Sequence, residues 1–112
     1  DADDVAVERF WRLWTGNKHC RHIVTDSPKG SVYRDPAAIE AQVRTLVRML
    51  PPGCDVPFML VREPRLLSSG VADVLRGLMQ LKAAVLPGAD VARVVSLAPG
   101  LLVLTVEELN AG

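Results

Sequence analysis

Between residues 36 and 104 the apolar positions fall into two alternating kinds of stripe. Ile39, Val43, Leu46 and Leu50 recur at the spacing of one helical face, and 35 residues later Val74, Leu78, Leu81 and Val85 repeat it. These stripes predict long helices over 36–49 and 71–85. Shorter stripes follow each of them: Val56, Met59 and Leu60, then Val91, Val94 and Val95, both at i, i+3, i+4. They predict short helices near 55–62 and 90–97.

The polar punctuation repeats with the stripes. Pro52, Gly53, Asp55, Val56, Pro64, Leu66 and Leu67 return as Pro87, Gly88, Asp90, Val91, Pro99, Leu101 and Leu102. Pro-Gly turns the chain, and Asp55 and Asp90 stand where a carboxylate can cap a helix. Pro64 and Pro99 end the short helix, because the residue before a proline is pushed out of the α region. The Leu-Leu pairs should then plug into the core from a single 3₁₀ turn, in equivalent buried positions. Asp35 caps the first long helix with Pro36 in its first turn, and Ser68 or Ser69 should cap the second. A fixed period of this size marks an all-α, helical-repeat (solenoid) array. Two units are complete, and a third opens at Val106 and Leu109.

Residues 1–35 stand outside that period. Asp3 or Asp4 should cap a helix carrying Val7, Phe10, Trp11 and Trp14, which holds both tryptophans of the chain. Its aromatics can anchor the helix on the first repeat, bind a partner, or offer a platform to a base. Residues 16–34 are polar around the turn Asp26-Ser-Pro-Lys-Gly30 and predict a loop, with His22–Thr25 and Ser31–Arg34 able to flank the turn as a short hairpin. The expected organisation is therefore 1–35, a helix plus polar loop, and 36–112, the repeat domain.

Composition narrows the chemistry. Thirteen basic and thirteen acidic residues cancel, which removes the simplest case for an anionic partner. Cys20 and Cys54 are too few for a disulfide framework, and no apolar run approaches the roughly 20 residues of a membrane span. The chain opens on Asp1, so a fragment or processed form is expected, with any targeting peptide out of view. His19, Cys20 and His22, with Cys54 as a possible fourth, form the one cluster with metal-ligand chemistry, at a spacing that fits no familiar zinc pattern. No phosphate-binding glycine loop and no paired catalytic acids occur. The expectation is a non-enzymatic protein with no cofactor, no metal and no evident small-molecule substrate.

The unit of long helix, Pro-Gly turn, short helix and x-Pro-x-Leu-Leu resembles the repeat of the mitochondrial transcription termination factor family. Glu63-Pro-Arg-Leu-Leu67 with Val71–Leu81, and Ala98-Pro-Gly-Leu-Leu102 with Val106–Leu109, carry the likeness, over roughly residues 36–112. The resemblance implies a curved helical solenoid in mitochondria or chloroplasts whose basic concave face holds nucleic acid. Arg44, Arg48, Arg62, Arg65 and Lys82 would supply that face. Six basic residues over 41–89, the five and Arg76, stand against Asp55, Glu63 and Asp73, a net of +3. The basic positions do not recur with the core, however: Arg44, Arg48, Arg62 and Arg65 map onto Met79, Ala83, Leu97 and Gly100. That pattern favours a protein-interaction module, a scaffold or accessory subunit of an organellar assembly, over a nucleic-acid-binding factor. Trp11, Trp14, Leu104, Val106 and Leu109 are the expected partner contacts.

Overall fold

The buried stripes set the architecture. In the computed structural model, which describes residues 1–103, six α-helices and two 3₁₀ turns are followed by a further helical stretch at 100–103, and no strand occurs among the described residues. The helices are α1 Ala2–Thr15, α2 Lys18–Asp26, α3 Pro36–Met49, α4 Val56–Arg62, α5 Val71–Ala84 and α6 Val91–Leu97. The 3₁₀ turns are Val32–Arg34 and Pro64–Leu67. No helix among the described residues is long and apolar enough to cross a membrane. Helix α1 packs on α3 and α4, α3 on α5, and α4 on α6.

The four helices expected over 36–97 are present. Asp35, Asp55 and Asp90 each accept a hydrogen bond from the backbone N–H three residues on, at 3.2, 3.4 and 3.2 Å. Gly53 and Gly88 take φ of 97° and 87°, a left-handed conformation that glycine adopts without steric cost. Local hydrogen bonds recur at the same offset. Leu50 donates to Leu46 as Val85 does to Leu81, and Glu63 donates to Met59 as Ala98 does to Val94. The residues before Pro64 and Pro99 adopt near-identical angles, −132°/79° and −136°/65°.

Four expectations are corrected. Residues 16–34 are neither loop nor hairpin: Asn17 caps α2 by accepting from the Cys20 N–H, and Cys20, Ile23 and Val24 form a one-turn apolar stripe. Asp1, not Asp3 or Asp4, caps α1, because the latter two carboxylates are taken by Arg48 and Arg44. Neither Ser68 nor Ser69 caps α5; both hydroxyls donate to the Arg65 carbonyl, and Gly70 starts the helix without a side-chain cap. Leu66 and Leu67 lie in a 3₁₀ turn but Leu101 and Leu102 in an α-helical stretch, and Leu101 is 38% exposed while the other three are buried, so the two Leu-Leu pairs are not equivalent.

The first 35 residues share some spacings with the rest. Asp3, Val7, Phe10 and Trp14 are the buried face of α1. They stand 36 residues before Ile39, Val43, Leu46 and Leu50, which stand 35 before Val74, Leu78, Leu81 and Val85. Helices α2, α4 and α6 end at 26, 62 and 97, each two residues ahead of Pro28, Pro64 and Pro99. Phe10 is fully buried and stacks on Trp14 at 5.4 Å between ring centroids. Trp14 in turn lies parallel to Tyr33 at 6.5 Å. The Tyr33 hydroxyl donates to the Pro64 carbonyl at 3.1 Å, and the Cys20 thiol points to the carbonyl of Val61.

Removing the Phe10 ring should therefore cost the whole chain. Phe10→Ala is expected to lower the unfolding free energy by about 3–5 kcal/mol, whereas Leu97→Ala at an exposed site should stay within about 0.5 kcal/mol. Urea denaturation followed by circular dichroism measures both, and similar small losses would mean that α1 is not part of the core.

Candidate functional site

Two surfaces carry the candidate residues, and they differ in what they leave free. The first is the seam where α1 meets α3 and the start of α4. Arg9 reaches the Asp55 carboxylate with both terminal nitrogens, a fork-on-fork pairing that fixes direction as well as charge. Arg44 meets Asp4 at 2.7 Å and Arg48 meets Asp3 at 2.6 Å. The Asp55 hydrogen bond raises the Arg9 guanidinium above its ordinary value. Hydrogen bonding and then the charge of Arg44 hold the Asp4 carboxyl below the usual carboxylate range.

Arg44 and Arg48 thus clamp α1 rather than line a free basic face. Of the other three residues proposed for nucleic acid, Arg65 folds back onto Glu63 at 2.8 Å and the Arg62 guanidinium lies 5.9 Å from the Phe58 ring centre. Lys82 is exposed in the last turn of α5, with no ion pair among the described residues. The five residues serve different contacts.

The second surface is an open groove of about 430 Å³ at the end of α6, where Leu97 and Leu101 face Arg62, Glu63 and Arg65 across Pro99 and Gly100. Leu97 is 60% exposed, and Leu86, in the turn before α6, is 81% exposed. Met79 on α5 is also exposed. Val5 in α1 and Met49 at the end of α3 are exposed as well, so among these residues only Leu97 and Leu101 line the groove. Leu104, Val106 and Leu109, expected as partner contacts, lie outside the described residues.

The remaining candidates separate. Trp14 is core, packed within its own chain, so it has little surface for a partner. Trp11 is half-buried, its indole N–H donating to Glu40 at 2.9 Å. Cys20 is fully buried while His19 and His22 are exposed on the outer side of α2, so the three do not converge. No group of three or more His, Cys, Asp or Glu among the described residues could hold a metal ion. Burial pushes the Cys20 thiol up, and burial followed by the Asp90 charge does the same at Cys54 against a weaker pull from Ser96. Both thiols should therefore alkylate slowly near neutral pH.

Sequence reasoning missed the role of Asp55. Besides capping α4 and pairing with Arg9, its backbone N–H donates to the Ser96 hydroxyl of α6 at 2.9 Å. No local pattern signals partners 46 residues upstream and 41 downstream.

No protein-family model, curated protein or solved structure matches the chain.

The seam has a pH signature. Asp4 has a lowered folded-state pKa, so its contribution is present above the ordinary Asp value near 3.8 and is lost as pH falls through the depressed one. Stability should therefore fall on acidification below that value. Arg44→Gln should flatten this acid limb, read from urea midpoints between neutral pH and about pH 2. An unchanged acid limb would remove Arg44 from the seam.

Proposed function

We propose that this chain is a non-enzymatic helical-repeat interaction module that docks other protein subunits. In this reading α1–α2, α3–α4 and α5–α6 are successive units of a solenoid with a period of 35–36 residues. The recurring stripes, prolines and caps support that reading. Each unit of such an array buries its apolar face against its neighbours. The docking face would be the apolar groove at Leu97 and Leu101, extended by Leu86 and by Leu104, Val106 and Leu109. Burying side chains of this kind is worth roughly 1.5–3 kcal/mol each. The resemblance to the mitochondrial transcription termination factor repeat suggests a scaffold or accessory subunit in a mitochondrion or chloroplast.

The observation that carries this reading over nucleic-acid binding is the neutralisation of Arg44, Arg48 and Arg65 by Asp4, Asp3 and Glu63. A protein that follows phosphates must present several uncompensated cations along one surface. Here three of the five named cations already have carboxylates within the chain. Freeing Arg44 and Arg48 for phosphate would also undo the α1 seam.

Two measurements test the reading. Fluorescence anisotropy with a labelled duplex or single strand should show no binding at physiological salt, and only weak binding at low salt. Submicromolar affinity with a salt slope of several charges would contradict it. Light scattering after size exclusion should show self-association at high concentration, through the exposed groove, that Leu97→Glu abolishes. A monodisperse monomer at high concentration, or association that Leu97→Glu leaves intact, would contradict the docking face.

A further inference from the structure

The first helical pair carries a cleft of about 330 Å³ between α1, α2 and the start of α3. Trp11, Trp14 and Tyr33 wall it, Ile39 lies at its base, and Arg21 and Arg34 stand at it from α2 and from the 3₁₀ turn before α3. An apolar, aromatic-lined recess with a few placed polar groups is the usual form of a small-molecule site, and this volume is at the lower end of the ~300–1,000 Å³ range.

Like Arg62 and Arg93, the two arginines form no ion pair among the described residues, and they alone of these four hydrogen-bond backbone carbonyls through the guanidinium. Arg9, Arg12, Arg44, Arg48, Arg65 and Arg76 each form an ion pair within the chain. Arg21 instead donates to the Thr15 carbonyl at 2.8 Å, and Arg34 to the carbonyls of Ser27 and Thr25 at 2.6 and 3.0 Å. Backbone carbonyls fix the guanidinium groups without cancelling their charge. Each guanidinium has five N–H donors, so both retain donors after these bonds. Position adds a second observation. Counted along the recurring stripes, Arg21 stands where α4 has Pro57 and α6 has Ala92, both buried. The first pair thus places a fixed cation where the others place core.

We propose that this cleft binds a small organic anion, its flat apolar body against Trp11 and Tyr33 and its carboxylate, sulfonate or phosphate on Arg21 and Arg34. The anion would replace the missing carboxylate partner of both arginines, and charge-assisted, forked hydrogen bonds would orient it. The apolar body would supply burial that an inorganic ion cannot.

Both tryptophans of the chain line this cleft, so the two indole N–H signals in a ¹H–¹⁵N spectrum report on it directly. The probes are naphthalene-2-carboxylate, its uncharged carboxamide and inorganic phosphate. The carboxylate should shift both indole signals saturably and bind about tenfold or more tightly than either other probe. Arg21→Gln should weaken carboxylate binding about tenfold and leave the carboxamide unchanged, with the rest of the spectrum confirming the fold. Arg34→Gln should do the same, and Arg93→Gln, away from the cleft, should change nothing. Equal binding of acid and amide, equal binding of phosphate alone, or an Arg21→Gln protein with unaltered affinity would each overturn the proposal. So would the absence of any saturable indole shift.

Discussion

Asp55 ties three helices together. Its side chain caps α4 and holds Arg9 of α1, while its backbone N–H reaches Ser96 of α6. The residue that starts one short helix therefore also ties that helix to α1 and to α6, both distant in the chain. Asp90 caps α6 in the same local way but is exposed, with no arginine on it. The difference follows from position: α4 packs against both α1 and α6, whereas Asp90 opens α6 on an exposed turn.

Much of the surface electrostatics follows from the same seam. Ion pairs this exposed are screened by water and contribute little each, so they do not hold the fold by energy alone. Their work is directional. Buried Phe10, Val7 and Trp14 supply the apolar contact, and three arginines meeting Asp3, Asp4 and Asp55 set the register of α1 on α3 and α4. That use consumes cations a phosphate-binding surface would need. It leaves Arg21 and Arg34, anchored on carbonyls, as fixed charges beside an aromatic cleft.

The sequence made the second half of the fold readable because each signal there is redundant. The 36–49 helix has a capping aspartate, a proline in the first turn and four aliphatic residues in register, and the 71–84 helix repeats the stripe. The first 35 residues show related spacings in other chemistry. Aromatics and Asp3 stand 36 residues before the aliphatic stripe of α3, while Asn17, which caps α2, stands 38 before Asp55, so a search for identical residues at one offset passes over them. Helix α2 offers only Cys20, Ile23 and Val24 as an apolar face, and its stability comes from contacts that no local pattern encodes. The exposure of Leu101 was equally illegible, since Leu66 and Leu101 share a local sequence but not their neighbours. For the candidate sites, the sequence identified the arginines but not which carboxylates they meet.

The central claim is that residues 1–35 form a full member of one cooperative helical stack and not an appended helix and loop. Native-state hydrogen exchange tests it residue by residue. The amides of Phe10 and Trp14 in α1 should exchange with the same opening free energy as those of Leu46 in α3 and Leu60 in α4, and all should follow global unfolding in low denaturant. If the α1 amides exchange about a hundredfold faster than those of α3 and α4, through an opening insensitive to denaturant, the first helix is a separate attachment and the account is wrong.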